Sequence, residues 1–369
     1  MSKSNKVVIA TGIYPPDIGG PATYVPLLAH RLTMKGFNVH VVTLSDKNKV
    51  TDKSDLWNIT RISRQLPRIV RIPYTVFVLL KVTRNSSRLF ANGLFEEAAI
   101  TSLFKPKLRV VMKIVGDPVW ERFRNSTGSK ISLTSFNSAS LTFACNLQRR
   151  FLNFSLNRSD LIFTPSRQLA DLVSQWRIKS DVKVINNGIK CRDVEQTEIK
   201  FDVISVSRLV TWKNIDLLIK ACAAKEMSLA VCGDGPERAS LETLAKDLNA
   251  DVHFFGNLSS FEIRDFLNSS KIFALISDYE GLSFSLIEAM MAGKEILVSS
   301  AQGNVDVISN EVNGYVVEIE DENSLLNCLS LLKSQSKNEI GMRAHSDAVT
   351  RFCAERQLDA AIDTLDLQA

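Results

Sequence analysis

Short apolar, β-prone runs alternate with longer stretches of helical spacing along nearly the whole chain. Lys6-Val-Val-Ile-Ala-Thr11 is six residues long, apolar and closed by a Pro/Gly-rich loop, Gly12 to Pro21, so it reads as a buried strand. A helix from about Ala22 to Lys35 and a strand from Asn38 to Thr43 follow. Further strands are predicted at Arg88 to Ala91, Arg109 to Val115, Asp160 to Thr164 and Val182 to Ile185, with helical stretches between most of them. Asn186-Asn187-Gly188-Ile189 reads as a turn, and polar Lys190 to Lys200 as a linker. The pattern then restarts. Strands are expected at Phe201 to Val206, Ser228 to Cys232, Val252 to Phe255, Lys271 to Ile276, Glu295 to Ser299 and Gly314 to Val317. Helices are expected at Ile215 to Ala223, Ser260 to Leu267 and Ser283 to Met291, with a helical finish from about Glu322 to Leu365. This alternation predicts an α/β protein with two Rossmann-like parallel-sheet domains. The boundaries are 1–195 and 196–349, and the last helix, about 350–369, can pack back on the first domain. Ligands in such sheets bind beyond the carboxyl ends of the strands, and two such rims can face one cleft.

At 369 residues, with 45% hydrophobic and 23% charged positions, the chain can bury two full cores. Its six cysteines are scattered without a CxxC pair, and no signal-peptide pattern is visible, so a reduced, cytoplasmic protein is expected. The histidines at 30, 40, 253 and 345 show no ligand spacing, so no zinc site is predicted, and no cofactor is expected. No apolar run reaches the length of a membrane span.

Charge changes this picture. The net +5 conceals a split: residues 1–195 hold 30 Lys and Arg against 13 Asp and Glu, a net +17, and residues 196–369 a net −12. The first half should therefore seek an anionic surface. No nucleic-acid-binding motif is present, which leaves an anionic membrane leaflet as the expected partner, at the inner face of the cell membrane. The segment from Arg61 through Arg64, Arg68, Arg71 and Lys81 to Arg84 interleaves cations with large apolar side chains, as an interfacial segment on acidic lipid does. The competing reading is a core helix from Pro73 to about Val82 with solvated arginines beside it.

Candidate chemistry concentrates in Ser277-Asp-Tyr-Glu280-Gly281-Leu282-Ser283-Phe-Ser285-Leu-Ile-Glu288, where two glutamates flank a strand-to-helix turn. The amides of Gly281, Leu282 and Ser283 start the helix, where unpaired N–H groups and the dipole attract anions. An anion site between two carboxylates suits a ligand with both phosphates and hydroxyls, such as a nucleotide sugar. A helix cap and a solvated glutamate would use the same residues. Arg208 and Lys213, five positions apart after the first strand of the second half, are suited to hold a diphosphate. Gly19-Gly20, after the first strand of the first half, lets the backbone approach a ligand; a plain loop is the alternative.

Taken in order, these residues resemble a known family. Pro15-Pro16, Gly19-Gly20-Pro21, Asn187-Gly188-Ile189, Ser207-Arg208-Leu209 with Lys213, Gly233-Asp234-Gly235-Pro236, and the E-x7-E pair Glu280/Glu288 followed by Ala289-Met290 and Gly293 look like a family 4 glycosyltransferase of the GT-B architecture. The resemblance spans residues 6 to about 317. It implies a retaining enzyme that uses a UDP-, GDP- or ADP-sugar without a metal, in polysaccharide or lipopolysaccharide biosynthesis, with a glycan or lipid-linked acceptor. It further implies that Arg208 and Lys213 grip the donor diphosphate. Glu280 would contact the sugar hydroxyls, Glu288 the ribose, and Gly19 and Gly20 would lie beside the phosphates and acceptor.

The sequence departs from the family where many relatives carry a histidine. Here Gly116-Asp117-Pro118-Val-Trp120-Glu121 stands instead, and Asp117 would face the reacting sugar or the acceptor. A helix cap ahead of Pro118 is the other use of that aspartate. An epimerase on the same fold and a non-catalytic scaffold that binds nucleotide sugars or membranes are the competing functions.

Overall fold

The computed structural model describes residues 5–17, 19–46, 56–129, 131, 133–138, 142–195, 197–301, 303–335 and 338–366. Ile18 of the first loop and Gln196 of the expected linker lie outside these. The chain forms two compact units. One comprises Met1–Val119, Ser140–Asn187 and Glu355–Ala369; the other comprises Trp120–Ala139 and Gly188–Ala354.

In chain order, the first unit and its excursion contain β1 (Lys6–Thr11), α1 (Gly20–Met34), β2 (Asn38–Ser45), β3 (Asn58–Ser63), α2 (Arg68–Val82), β4 (Arg88–Asn92), α3 (Phe95–Phe104), β5 (Arg109–Lys113), α4 (Pro118–Thr127), α5 (Leu133–Ser138), α6 (Phe143–Leu156), β6 (Leu161–Thr164), α7 (Arg167–Ser174) and β7 (Val182–Val184). The sheet is parallel in the order β3-β2-β1-β4-β5-β6-β7, with Val7 paired to Val39 on one side and Arg88 on the other. Val7 to Ala10 are fully buried, which is why a parallel strand covered on both faces reads as a continuous apolar run. The strand order reverses between β1 and β4. Right-handed crossovers put α1 on one face and α2, α3 and α6 on the other, where α3 packs against both α2 and α6.

The second unit contains β8 (Phe201–Val206), α8 (Ile215–Ala224), β9 (Leu229–Cys232), α9 (Arg238–Asp247), β10 (Val252–Gly256), α10 (Ser260–Asn268), β11 (Ser270–Leu275), α11 (Phe284–Met291), β12 (Glu295–Ser299), β13 (Tyr315–Val317), α12 (Glu322–Ser334) and α13 (Glu339–Arg351). Its sheet is also parallel, in the order β10-β9-β8-β11-β12-β13, and reverses between β8 and β11. The chain ends in α14 (Ala354–Asp366), which from Glu355 onward belongs to the first unit. There Asp359 accepts two bonds from Arg31, at 2.8 and 2.7 Å, and pairs with Lys35 at 3.0 Å.

Three sequence expectations need correction. The division falls at 187/188 rather than 195/196, because Ile189 hydrogen-bonds Phe352 and Ala354 across the second unit. Residues 120–139 leave the first unit for the second. The segment from Arg61 to Arg84 is not one continuous element: it ends an edge strand, β3, turns and enters α2. Its first four arginines are engaged within the protein. Arg61 donates to the Pro15 carbonyl at 2.5 Å, Arg64 pairs with Asp17 and Asp46 and donates to the Gly12 carbonyl, Arg68 pairs with Glu96, and Arg71 donates to the Arg64 carbonyl.

Candidate active site

The reversal point of the second sheet brings two strand-end loops together. After β8 the chain makes a 3-10 turn, Thr211–Lys213, anchored by buried Leu209 and Trp212. Gly233 and Gly235 allow this loop to cross the next one closely: a Cβ on either would lie 1.9 Å from the Ser207 carbonyl oxygen or 2.2 Å from that of Leu209. Gly233-Asp234-Gly235-Pro236 thus serves backbone approach to the Arg208 loop. After β11, the Asp278 amide donates to the Trp212 carbonyl at 2.9 Å and joins the two loops.

Within that frame Lys213 Nζ forms an ion pair with Glu280 Oε1, and Ser277 Oγ donates to the same oxygen at 2.7 Å. Glu280 is only 9% exposed, so the pair sits where charge interactions are little screened. Arg208 rides on the same loop, but its side chain is exposed and makes no ion pair among the described residues. Gly281 and Leu282 are buried, and Leu282 packs into the core. Ser283 is the N-cap of α11: its hydroxyl accepts from the Leu286 amide at 3.4 Å.

Glu288 lies one turn into α11, in a separate hollow lined by Ile189, Lys190, Arg192, Asn268 and Met291. Burial pushes its carboxyl up to about 7, against a smaller opposing effect of Arg192. The structure therefore unites Lys213 with Glu280 and gives Glu288 a different environment.

Comparison with known proteins bears on these loops. Residues 191–344, which contain Arg208, Lys213, Glu280 and Glu288, match the family described as glycosyl transferases group 1. A Campylobacter jejuni protein, N-acetylgalactosamine-N,N'-diacetylbacillosaminyl-diphospho-undecaprenol 4-alpha-N-acetylgalactosaminyltransferase, is 25% identical over 88% of this chain and 90% of its own length. The fold is shared with sucrose-phosphate synthase of Thermosynechococcus elongatus, at a TM-score of 0.81 and 17% identity over 97% of this chain and 98% of the other. It is shared too with Anabaena HepE in complex with UDP and glucose, at a TM-score of 0.76 and 19% identity over 98% and 100%. The chain is a glycosyltransferase whose residues 191–344 match the group 1 family. Its two parallel sheets have the GT-B fold.

The first unit of this glycosyltransferase places its expected residues less openly. Gly19, with φ 145, precedes α1 without a side-chain cap, and Gly20 and Pro21 open the helix. Its loop is held by Arg61 and Arg64. Asp117 is fully buried: Oδ1 accepts from the Val119 amide at 2.9 Å, and Oδ2 pairs with Arg149 at 2.5 Å, whose guanidinium lies 4.4 Å from the Trp176 ring centroid. Asp117, expected to face the reacting sugar or the acceptor, is placed as a helix cap and a buried ion-pair partner. Sequence reasoning missed Ser277, Asp278 and Trp212 of the glycosyltransferase's loops. All lie beside motif residues, yet no spacing rule signals a serine-to-carboxylate bond or a backbone bond between two loops. Among the described residues, no group of three or more His, Cys, Asp or Glu is placed to hold a metal ion.

Proposed function

We propose that this glycosyltransferase moves a sugar from a nucleoside diphosphate sugar to a glycan or lipid-linked acceptor, with retention at the anomeric carbon, in the assembly of a cell-surface polysaccharide or lipopolysaccharide. The observation that carries this reading is the Lys213–Glu280 pair at the reversal point of the second sheet. Lys213 and exposed Arg208 bind the diphosphate and stabilise the charge it gains as the glycosidic bond breaks, so no metal ion is needed. Glu280 gives one oxygen to Lys213 and Ser277. Its other oxygen meets the sugar hydroxyls, and Glu288 meets the ribose. The amides at 281–283 complete the phosphate cradle. In front-face transfer the acceptor oxygen bonds the anomeric carbon as the bond to the phosphate oxygen breaks, and that oxygen takes the acceptor proton. No separate base is required.

The names of the relatives support the substrate classes: one acts on a diphospho-undecaprenol-linked glycan, and one binds UDP and glucose. Contact with an anionic membrane is part of the proposal. No helix among the described residues is long and apolar enough to cross a membrane. Support for contact comes from Ile69 and Phe77 on α2, Phe104 on α3 and Phe143 and Phe151 on α6, all exposed. On α6 the exposed apolar residues 143, 147, 151 and 154 follow helical spacing. Neither α2 nor α6 contains an acidic residue, and Lys81, Arg84, Arg150 and Arg158 are exposed. Apolar anchors among cations suit acidic lipid.

The test is a thermal-shift series with UDP-glucose, GDP-mannose and ADP-glucose, followed by NMR of the transfer product with EDTA present. One donor should raise the melting temperature, since ligand binding to the folded form stabilises it, and the product should keep the donor's anomeric configuration. An inverted product, or loss of activity in EDTA, defeats the mechanism. Failure to float with phosphatidylglycerol vesicles at low salt defeats the membrane contact.

A further inference from the structure

We infer that Arg124, with Trp120 beside it, is a positioning residue for the donor site: it fixes Asp278, and through Asp278 the two loops that carry Lys213 and Glu280. The inference rests on the donor-site reading above. α4 follows β5 of the first unit, yet from Trp120 onward it belongs to the second unit. There Arg124, with a side chain 1% exposed, pairs with Asp278 Oδ2 at 2.8 Å. The rings of Trp120 and Trp212 lie 5.2 and 5.6 Å from its guanidinium carbon, and Trp120 meets Tyr279 edge-on at 5.2 Å.

Asp278 ties loops together through three contacts. Its amide donates to the Trp212 carbonyl, Oδ1 accepts from Asn214 Nδ2 at 2.5 Å, and Oδ2 takes Arg124. Trp212 and Asn214 flank Lys213, and Asp278 is two residues before Glu280. Holding Asp278 therefore fixes both ends of the Lys213–Glu280 pair. A buried ion pair is weak evidence for stability, because desolvation offsets the attraction. Arg124 also leaves its buried Nε without a partner among the described residues, an expensive arrangement for a group whose purpose is stability alone. What the pair does provide is a fixed geometry at the loops, and donor-binding groups displaced by 1 Å lose much of their effect.

The test uses the full chain and the donor among UDP-glucose, GDP-mannose and ADP-glucose that stabilises the wild type. Arg124→Met should raise the donor KM at least tenfold and leave the acceptor KM within twofold. Arg124→Lys, which keeps a cation near Asp278, should recover part of that loss. Asp278→Asn should match Arg124→Met, and the double variant, which leaves no unpaired buried charge, should be no worse than either. Unchanged donor KM in Arg124→Met overturns the inference, as do additive effects of the two substitutions or equal rises in both KM values. If the wild type binds none of the three donors, the donor-site reading itself falls, and the inference with it. If the wild type binds and the Arg124→Met/Asp278→Asn double variant binds equally well, only the inference falls.

Discussion

At the reversal point of the second sheet, a lysine and a glutamate meet in a frame of backbone bonds between two loops. At that of the first sheet, the loop after β1 is held by arginines from β3 and its far end, and the one carboxylate expected to do chemistry is buried against Arg149. The first unit uses polar groups to settle its own interior in other places too. Lys113 is fully buried, donates to Asn187 Oδ1 at 2.8 Å and lies over the Tyr24 ring, and burial alone holds its amine well below the usual 10.5. The same fold, used twice, thus supplies a charged site in one unit and a plainer, glycine-lined rim in the other. Substitutions at the second rim should change activity with the fold intact, and those at the first should change stability.

The largest effect is expected at Glu280. Glu280→Ala removes a partner of the reacting sugar and leaves Lys213, whose side chain is 14% exposed, within reach of water. Transfer should fall roughly 1000-fold, about 4 kcal/mol of transition-state stabilisation, with a melting temperature close to wild type. Steady-state transfer rates beside a thermal melt decide it, and near-wild-type turnover would break the contrast. Asp117→Asn is the opposite case. It keeps an acceptor for the Val119 amide but removes the buried charge that faces Arg149, at a cost of about 3 kcal/mol. Denaturant unfolding should show that loss. If turnover per folded molecule fell by orders of magnitude instead, Asp117 would belong to the chemistry after all.

What could be read in the sequence follows from how local each feature is. The β–α alternation was legible because parallel strands buried on both faces are apolar throughout, as in Val7 to Ala10. β3 was not: Asn58-Ile-Thr-Arg-Ile-Ser63 is an edge strand, half-buried and polar at four of its six positions, so its pattern merges with a loop. Glu280 and Glu288 could be placed because one turn and one helix separate them. Their different environments could not, since Lys213 lies 67 residues from Glu280, and Arg192 acts on Glu288 from the stretch before β8. Asp117 was open to two readings because Arg149, the partner that decides its fate, is 32 residues away. The transfer of α4 to the second unit depends on a pair 154 residues apart, which no local pattern encodes.

The two glutamates give a subtler test of the second rim. Glu280 is an ion-pair partner, whereas Glu288 has a carboxyl raised from 4.5 to about 7 by burial. The folded form therefore holds this proton more tightly than the unfolded chain does. The corresponding stability is fully present below about 4.5 and is lost as pH rises through 7. Glu288→Gln, which cannot ionise, should be more stable than wild type at pH 8 by up to about 3 kcal/mol, with the gain vanishing near pH 4.5, while donor affinity falls. A pH series of unfolding midpoints measures this. A constant difference across the series would show that Glu288 is solvated and ionised throughout.

The smallest effect is expected where α14 meets α1. Asp359 is held down to about 2, from 3.8, chiefly by its hydrogen bonds to Arg31, with Lys35 adding to them. Here the folded pKa is depressed, so the stabilisation exists above about 3.8 and disappears as pH falls through 2. The side chains are about one-third exposed, which screens the pair, and Asp359→Ala should cost only about 1 kcal/mol at pH 7. Raising salt should shrink that difference, because exposed pairs are screened at short range. The helix buries Leu358, Ala361, Ile362 and Leu365, so its apolar face should keep it docked in the variant. A loss of several kcal/mol, or one indifferent to both salt and acid, would mean that the carboxylate acts in packing rather than as a charge, and the first unit would then hold its last helix by a different device.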